Sequence, residues 1–156
     1  QKFGSINNLN IVWMGDMNNV LFSLLEVINF TNNTKVDVFT DEQIYSQNKD
    51  NFNVSKNINF HFNINKEIIA KANCIMTDVF TSMNDKEDKE NLLNKFQVNG
   101  DIMSLTNKKS VFMHCLPAKI GSEVTEDVIK GEKSIVLAQA KNRLVAQKGI
   151  LKWLSI

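Results

Sequence analysis

Three stretches of this sequence have chemistry to offer, two of them where an apolar run gives way and the third inside a helical one. Asp78 closes the run Asn73-Cys74-Ile75-Met76-Thr77-Asp78, so a carboxylate sits at the end of a strand-like stretch, and Asp78 to Met83 reads equally as an ordinary strand-to-loop passage with Ser82 or Asn84 capping the next helix. Ser110 to Met113 is followed by His114-Cys115-Leu116-Pro117, with the only proline of the chain. A thiol there is a nucleophile only if a base or cation lowers its pKa. Spacing assigns no such partner, so an inert small hydrophobe is the simpler reading of Cys115, and a core histidine that of His114. Pro117 cannot donate to a strand ladder and pushes Leu116 towards extended geometry, which leaves the Cys115 and Leu116 carbonyls facing a crevice. Arg143 is the single arginine in a chain that otherwise uses lysine, and its planar fork suits bidentate recognition of a carboxylate or phosphate.

The elements that must position these groups alternate between two periodicities. Asn10 to Met14 and Lys35 to Phe39 read as strands, separated by a helix from about Asn18 to Asn29 with Val20, Leu21, Leu24, Leu25 and Ile28 on one face. Asp16 or Asn18 caps it. Thr40 to Asn57 is weakly helical; Asn57 to Phe62 alternates as a third strand, Ile64 to Ala72 is a short helix, and Asn73 to Asp78 is the fourth strand. Asp85 to Phe96 is amphipathic, Asn99 or Gly100 opens a helix to Leu105, and Ser110 starts the fifth strand. Glu123 to Ile129 reads as helical, Ser134 to Leu137 as extended and Ala138 to Leu154 as a long helix.

This alternation specifies an α/β fold: a three-layer, doubly wound parallel sheet of about five strands, Rossmann-like, in a single domain. Right-handed crossovers give the strand order 3-2-1-4-5. The loops after strands one, four and five then meet at one switch point, with Asp16 to Asn19, Asp78 to Met83 and His114 to Pro117 along one edge. Gly15-Asp16-Met17-Asn18-Asn19 enters a helix as a dinucleotide fingerprint does, but has one glycine where that motif needs three, so NAD binding is disfavoured.

Composition narrows the classes further. The chain has 156 residues, 18 basic and 17 acidic side chains, all interspersed, so the footprint of a nucleic-acid binder is lacking. The two cysteines, Cys74 and Cys115, lack metal-site spacing and read as free thiols, and no metal or cofactor is expected. No apolar stretch approaches ~18 residues and Gln1 to Leu9 has no signal-peptide pattern, so the expectation is a cytoplasmic protein with no membrane span.

Four segments in order carry a family resemblance. Met14-Gly15-Asp16-Met17-Asn18-Asn19 with Ser23, Asp78-Val79-Phe80-Thr81-Ser82-Met83, Phe112-Met113-His114-Cys115-Leu116-Pro117-Ala118, and Gln139-Ala140-Lys141-Asn142-Arg143-Leu144 with Ala146-Gln147-Lys148 together resemble ornithine carbamoyltransferases. The match spans almost the whole chain and corresponds to the carboxy-terminal, ornithine-binding half. No Ser-Thr-Arg-Thr-Arg or His-Pro-Thr-Gln segment is present, which in the family bind carbamoyl phosphate. The resemblance implies that residues 1–156 form an ornithine-binding domain whose carbamoyl-phosphate partner domain lies outside this chain, in a family that forms homotrimers.

It further implies that Asn19 holds the backbone end of L-ornithine, that Asp78 pairs with its α-ammonium and that the Ser82 and Met83 peptide groups complete the pocket. The Cys115 and Leu116 carbonyls would orient the δ-amine and the carbamoyl group, across a cis Leu116-Pro117 bond, and Arg143 would help hold carbamoyl phosphate. The catalytic set is then Cys115, Asp78 and Arg143. The chain departs from the family pattern at Asn84, Ala138 and Lys141, the last reversing a charge beside Arg143. In the resembling enzymes the last helix packs on the amino-terminal domain. Here its end, Ile150, Leu151, Trp153, Leu154 and Ile156, is apolar, and self-association through it is expected.

Overall fold

The computed structural model describes residues 2–52, 55–81 and 89–155. Five parallel strands, β1 (Asn10–Met14), β2 (Lys35–Phe39), β3 (Ile58–His61), β4 (Cys74–Thr77) and β5 (Val111–His114), form one sheet in the order β3-β2-β1-β4-β5. This is the expected doubly wound order, and its cause is legible in β1. Ile11, Val12, Trp13 and Met14 are all buried, so no face of that strand tolerates solvent and both of its edges are paired.

Helices α1 (Asn19–Ile28), α2 (Glu42–Asn48), α3 (Lys66–Ala70), α4 (Glu90–Leu93) and α5 (Gly100–Leu105) connect the strands, and α6 (Glu126–Ile129) and α7 (Val136–Leu154) follow β5. Right-handed crossovers place α1 and α2 on one face of the sheet and α3 to α5 on the other. α1 buries Leu21, Leu25 and Ile28 against the sheet, where they join Trp13, Val36, Val38, Phe39, Ile75 and Phe112 in one core. At the β3 edge, Phe22, Phe52, Phe60, Tyr45 and Phe62 form a chain of ring contacts with centroids 4.8–5.8 Å apart.

Several elements differ from their sequence-based limits. The polar stretch after β2 forms α2 and a single 3-10 turn, Lys49–Asn51. α4 is one turn followed by a 3-10 turn, Asn94–Phe96; the part of the expected helix from Asp85 to Asp88 lies outside the described residues. α6 begins at Glu126, three residues later than expected, because Glu123 and Val124 are taken up by bridging: the Val98 N–H donates to the Glu123 carbonyl at 2.9 Å and Val124 pairs with Val98. Of the extended piece expected at Ser134 to Leu137, only Ser134 bridges to Phe112, and α7 has already begun at Val136.

Candidate functional site

The site is built on the carboxyl ends of β1, β4 and β5, which parallel pairing sets side by side. Gly15 ends β1 at φ +128°, in a region side chains rarely adopt, and a Cβ there would lie 2.8 Å from the Phe80 ring. Glycine therefore lets the turn after β1 nest against the one after β4. Asn18 then caps α1, its Oδ1 accepting the Val20 and Leu21 N–H groups at 3.1 and 3.2 Å. Its other amide atom is spare for the site, and Nδ2 donates to Asp78 Oδ2 at 2.9 Å.

Asp78 is 7% exposed and engaged from both sides, since Cys115 Sγ donates to its other oxygen, Oδ1, at 2.8 Å. The side chains of Asn18, Asp78 and Cys115 thus come from three loops to one point, as the strand order required. Burial first, then the hydrogen bond to Asp78 and that carboxylate's charge, pushes the Cys115 thiol up to about 12; Arg143 acts weakly in the opposite direction. The thiol is protonated at neutral pH and serves as a hydrogen-bond donor, which is not the state of a nucleophilic cysteine. Arg143 is an exposed residue of α7. α7 is tied to the site by Gln139, whose Oε1 accepts the His114 N–H at 3.1 Å.

Leu116 departs from the extended geometry expected before a proline. Its φ is +54°, and the Leu116–Pro117 peptide is cis. The reason lies one turn back, where His114 Nδ1 accepts the Leu116 N–H at 3.0 Å and curls the chain over the end of β5. Asn19 is the first residue of α1 and is exposed, beside the inward-turned Asn18. Ser82, Met83 and Asn84 lie outside the described residues.

Two participants were not foreseen from the sequence. Lys89 Nζ sits 3.0 Å from Asp16 Oδ2, and its backbone N–H donates to Thr81 Oγ1 at 3.2 Å, fastening the far end of the loop after β4 to the turn after β1. Glu123 lies behind the His114 ring. Neither carries a local signal, because Lys89 meets Asp16 across 73 residues and Glu123 meets His114 from beyond the end of β5.

Asp78, His114 and Cys115 offer ligand atoms within 4.8 Å of one another, a spacing compatible with a metal ion. The donor set does not suit one as it stands. His114 Nδ1 is taken by the Leu116 N–H, Nε2 faces Glu123, and the thiol proton is shared with Asp78, so coordination would displace the thiol bond and whichever of the two ring bonds lies on the ligating nitrogen. Among the described residues no helix is long and apolar enough to cross a membrane.

Comparison with known proteins agrees with this architecture. The profile of the aspartate/ornithine carbamoyltransferase Asp/Orn-binding domain matches residues 7–154. The ornithine carbamoyltransferase of Rhodopseudomonas palustris is 42% identical over 155 residues, a stretch that covers 96% of this chain and 49% of that protein. Of solved structures, ornithine carbamoyltransferase from Thermus thermophilus superposes with a TM-score of 0.79 at 37% identity, covering 96% of this chain and 49% of that one. The enzyme from Burkholderia thailandensis gives 0.84 at 27% identity, with 97% and 49% covered. The chain spans about half the length of the curated relatives it matches.

Proposed function

The chain belongs to the aspartate/ornithine carbamoyltransferase family and corresponds to its Asp/Orn-binding domain, and from that premise we propose that it binds L-ornithine at Asp78 for carbamoyl transfer to the δ-amine. The observation that carries the reading is the convergence of Asn18 and Cys115 on the two oxygens of Asp78. A carboxylate held in one orientation, with lone pairs left over, is suited to an ammonium group. In this reading Asp78 receives the α-ammonium, Asn19 and the Ser82 and Met83 peptide groups hold the remainder of the amino-acid end, and Arg143 takes part in binding carbamoyl phosphate.

The δ-amine must reach the carbamoyl carbon unprotonated, although an amine of its kind is mostly ammonium at pH 7. The Cys115 and Leu116 carbonyls accept hydrogen bonds from the neutral amine and direct its lone pair. Attack gives a tetrahedral adduct; collapse breaks the bond to phosphate, which leaves with the proton given up by the amine, and citrulline remains. Positioning and electrostatics supply most of the rate. The protonated state of Cys115 supports a mechanism without a covalent cysteine intermediate.

Carbamoyl phosphate is a dianion whose carbonyl must also be polarised, and Arg143 is the only guanidinium in these 156 residues. We assign this chain the ornithine side of the reaction, and the phosphate side to a carbamoyl-phosphate domain like that of its full-length relatives. The test is calorimetric titration with L-ornithine and a citrulline assay on the same sample. Ornithine binding that Asp78→Asn weakens at least about tenfold, with no citrulline formed, is the expected result. Undiminished binding by Asp78→Asn would overturn the assignment of Asp78, and turnover by this chain alone would overturn the division of labour.

A further inference from the structure

Glu123 is not among the positions assigned to a substrate, yet it is wholly buried and directed at the turn that follows β5. Its Oε1 lies 3.1 Å from His114 Nε2 and accepts the Lys119 N–H at 2.6 Å. On the other side of the ring, Nδ1 accepts the Leu116 N–H. A ring nitrogen that accepts an amide N–H carries no proton, so in the neutral imidazole the proton is on Nε2 and points at Glu123. The three residues form a one-directional chain: Glu123 fixes the tautomer of His114, and the tautomer fixes the Leu116 N–H.

Glu123 is held independently of any ligand. Val98 donates to its carbonyl, Thr125 N–H donates to the Val98 carbonyl at 3.1 Å, and Gln97 Nε2 donates to the Gly121 and Ser122 carbonyls, both at 2.8 Å. Its second oxygen, Oε2, is buried with no hydrogen-bond partner among the described residues. A half-satisfied buried carboxylate is less favourable to folding than an apolar side chain of similar size, so its presence calls for a task other than stability.

We infer that Glu123 and His114 are positioning residues that set the direction of the Cys115 and Leu116 carbonyls, through the Leu116 N–H and its left-handed φ. Leucine seldom holds that conformation unaided. With the acceptor removed, Leu116 relaxes towards the extended region favoured before proline, and both carbonyls turn away from the amine. The substrate named here rests on the ornithine reading; the hydrogen-bond chain does not.

The experiment uses the chain as it is. It has two histidines, His61 and His114, so ring nitrogen-15 spectra are readily assigned. The expected spectrum shows His114 protonated at Nε2 alone, with a Leu116 amide slow to exchange. His114→Asn can place its amide oxygen near the Nδ1 position and should keep the Leu116 amide protected. His114→Gln reaches instead towards Glu123 and should lose that protection. Glu123→Gln retains an acceptor for both donors and should bind ornithine within about threefold of wild type, whereas Glu123→Ala leaves a buried N–H unpaired and should bind about tenfold more weakly.

A His114 proton on Nδ1 in the wild-type chain overturns the inference, and this needs no variant to fold. Equal binding by Glu123→Ala and wild type with an unchanged tautomer overturns it as well. A wild-type chain that fails to bind ornithine overturns the ornithine reading instead, and the tautomer and the Leu116 exchange rate then decide the positioning role by themselves.

Discussion

Cys115 donates its thiol proton to Asp78 across 2.8 Å, and so links the ends of β4 and β5 through side chains where their ladder has stopped. One carboxylate oxygen is thereby committed to the thiol and the other to Asn18, which fixes the plane of the carboxylate before any ligand arrives.

The thiol chemistry follows from burial first and from that bond second. Burial alone holds Cys74 up to about 12, from an ordinary value of 9.0, and Cys115 stands at about the same level with Asp78 contributing. Thiols raised in the native state keep their full stabilising effect below the unfolded pKa and lose it as pH rises towards the folded one. Stability should therefore fall between about pH 9 and pH 12, measured by denaturant titration, with a shallower slope in Cys74→Ala. Iodoacetamide should label native Cys115 at least about tenfold more slowly than the unfolded chain at pH 8. Equal rates would place a thiolate in the site.

Asn18 has two duties that substitutions can separate. Asn18→Ala removes the cap of α1 and should cost about 1 kcal/mol, whereas Asn18→Ser keeps an oxygen for the cap and should stay within about 0.5 kcal/mol of wild type. Both remove the amide donor to Asp78, so both should weaken ornithine binding. Chemical denaturation gives the first quantity and calorimetry the second. If Asn18→Ser binds as wild type does, the Asn18–Asp78 bond does not orient the carboxylate.

The far end of α7 leaves Leu151, Trp153 and Leu154 at 67%, 74% and 67% exposure, with Leu144, Val145 and Ile150 also exposed; Ile156 lies outside the described residues. Side chains of this size expose an apolar surface on the order of several hundred Å², comparable to the largest patch on a typical monomer. We propose that a second copy covers it when the chain is alone. Light scattering should give at least twice the monomer mass for the wild-type chain, and the monomer mass for Trp153→Ser/Leu154→Ser. A wild-type monomer in solution would refute this.

Local physics made the sheet legible from sequence. Apolar runs long enough for buried strands, spaced by crossovers, admit few topologies, and right-handed connection leaves the order that brings Asp78 and the His-Cys turn together. Asn18 was readable as a cap because capping depends on its own neighbours. What tertiary structure decided lay in pairings between distant residues. Glu123 read as the start of a helix until Val98 drew it into a bridge and His114 turned to meet it. Leu116 read as extended because proline restricts its predecessor, and a ring nitrogen two residues back overrode that preference. Lys89 read as part of the amphipathic stretch Asp85 to Phe96 until the turn after β1 supplied Asp16. Periodicity and propensity are sums over near neighbours and can be read along the chain; a hydrogen bond that closes a loop depends on where two separate elements arrive, and only the packed sheet fixes that.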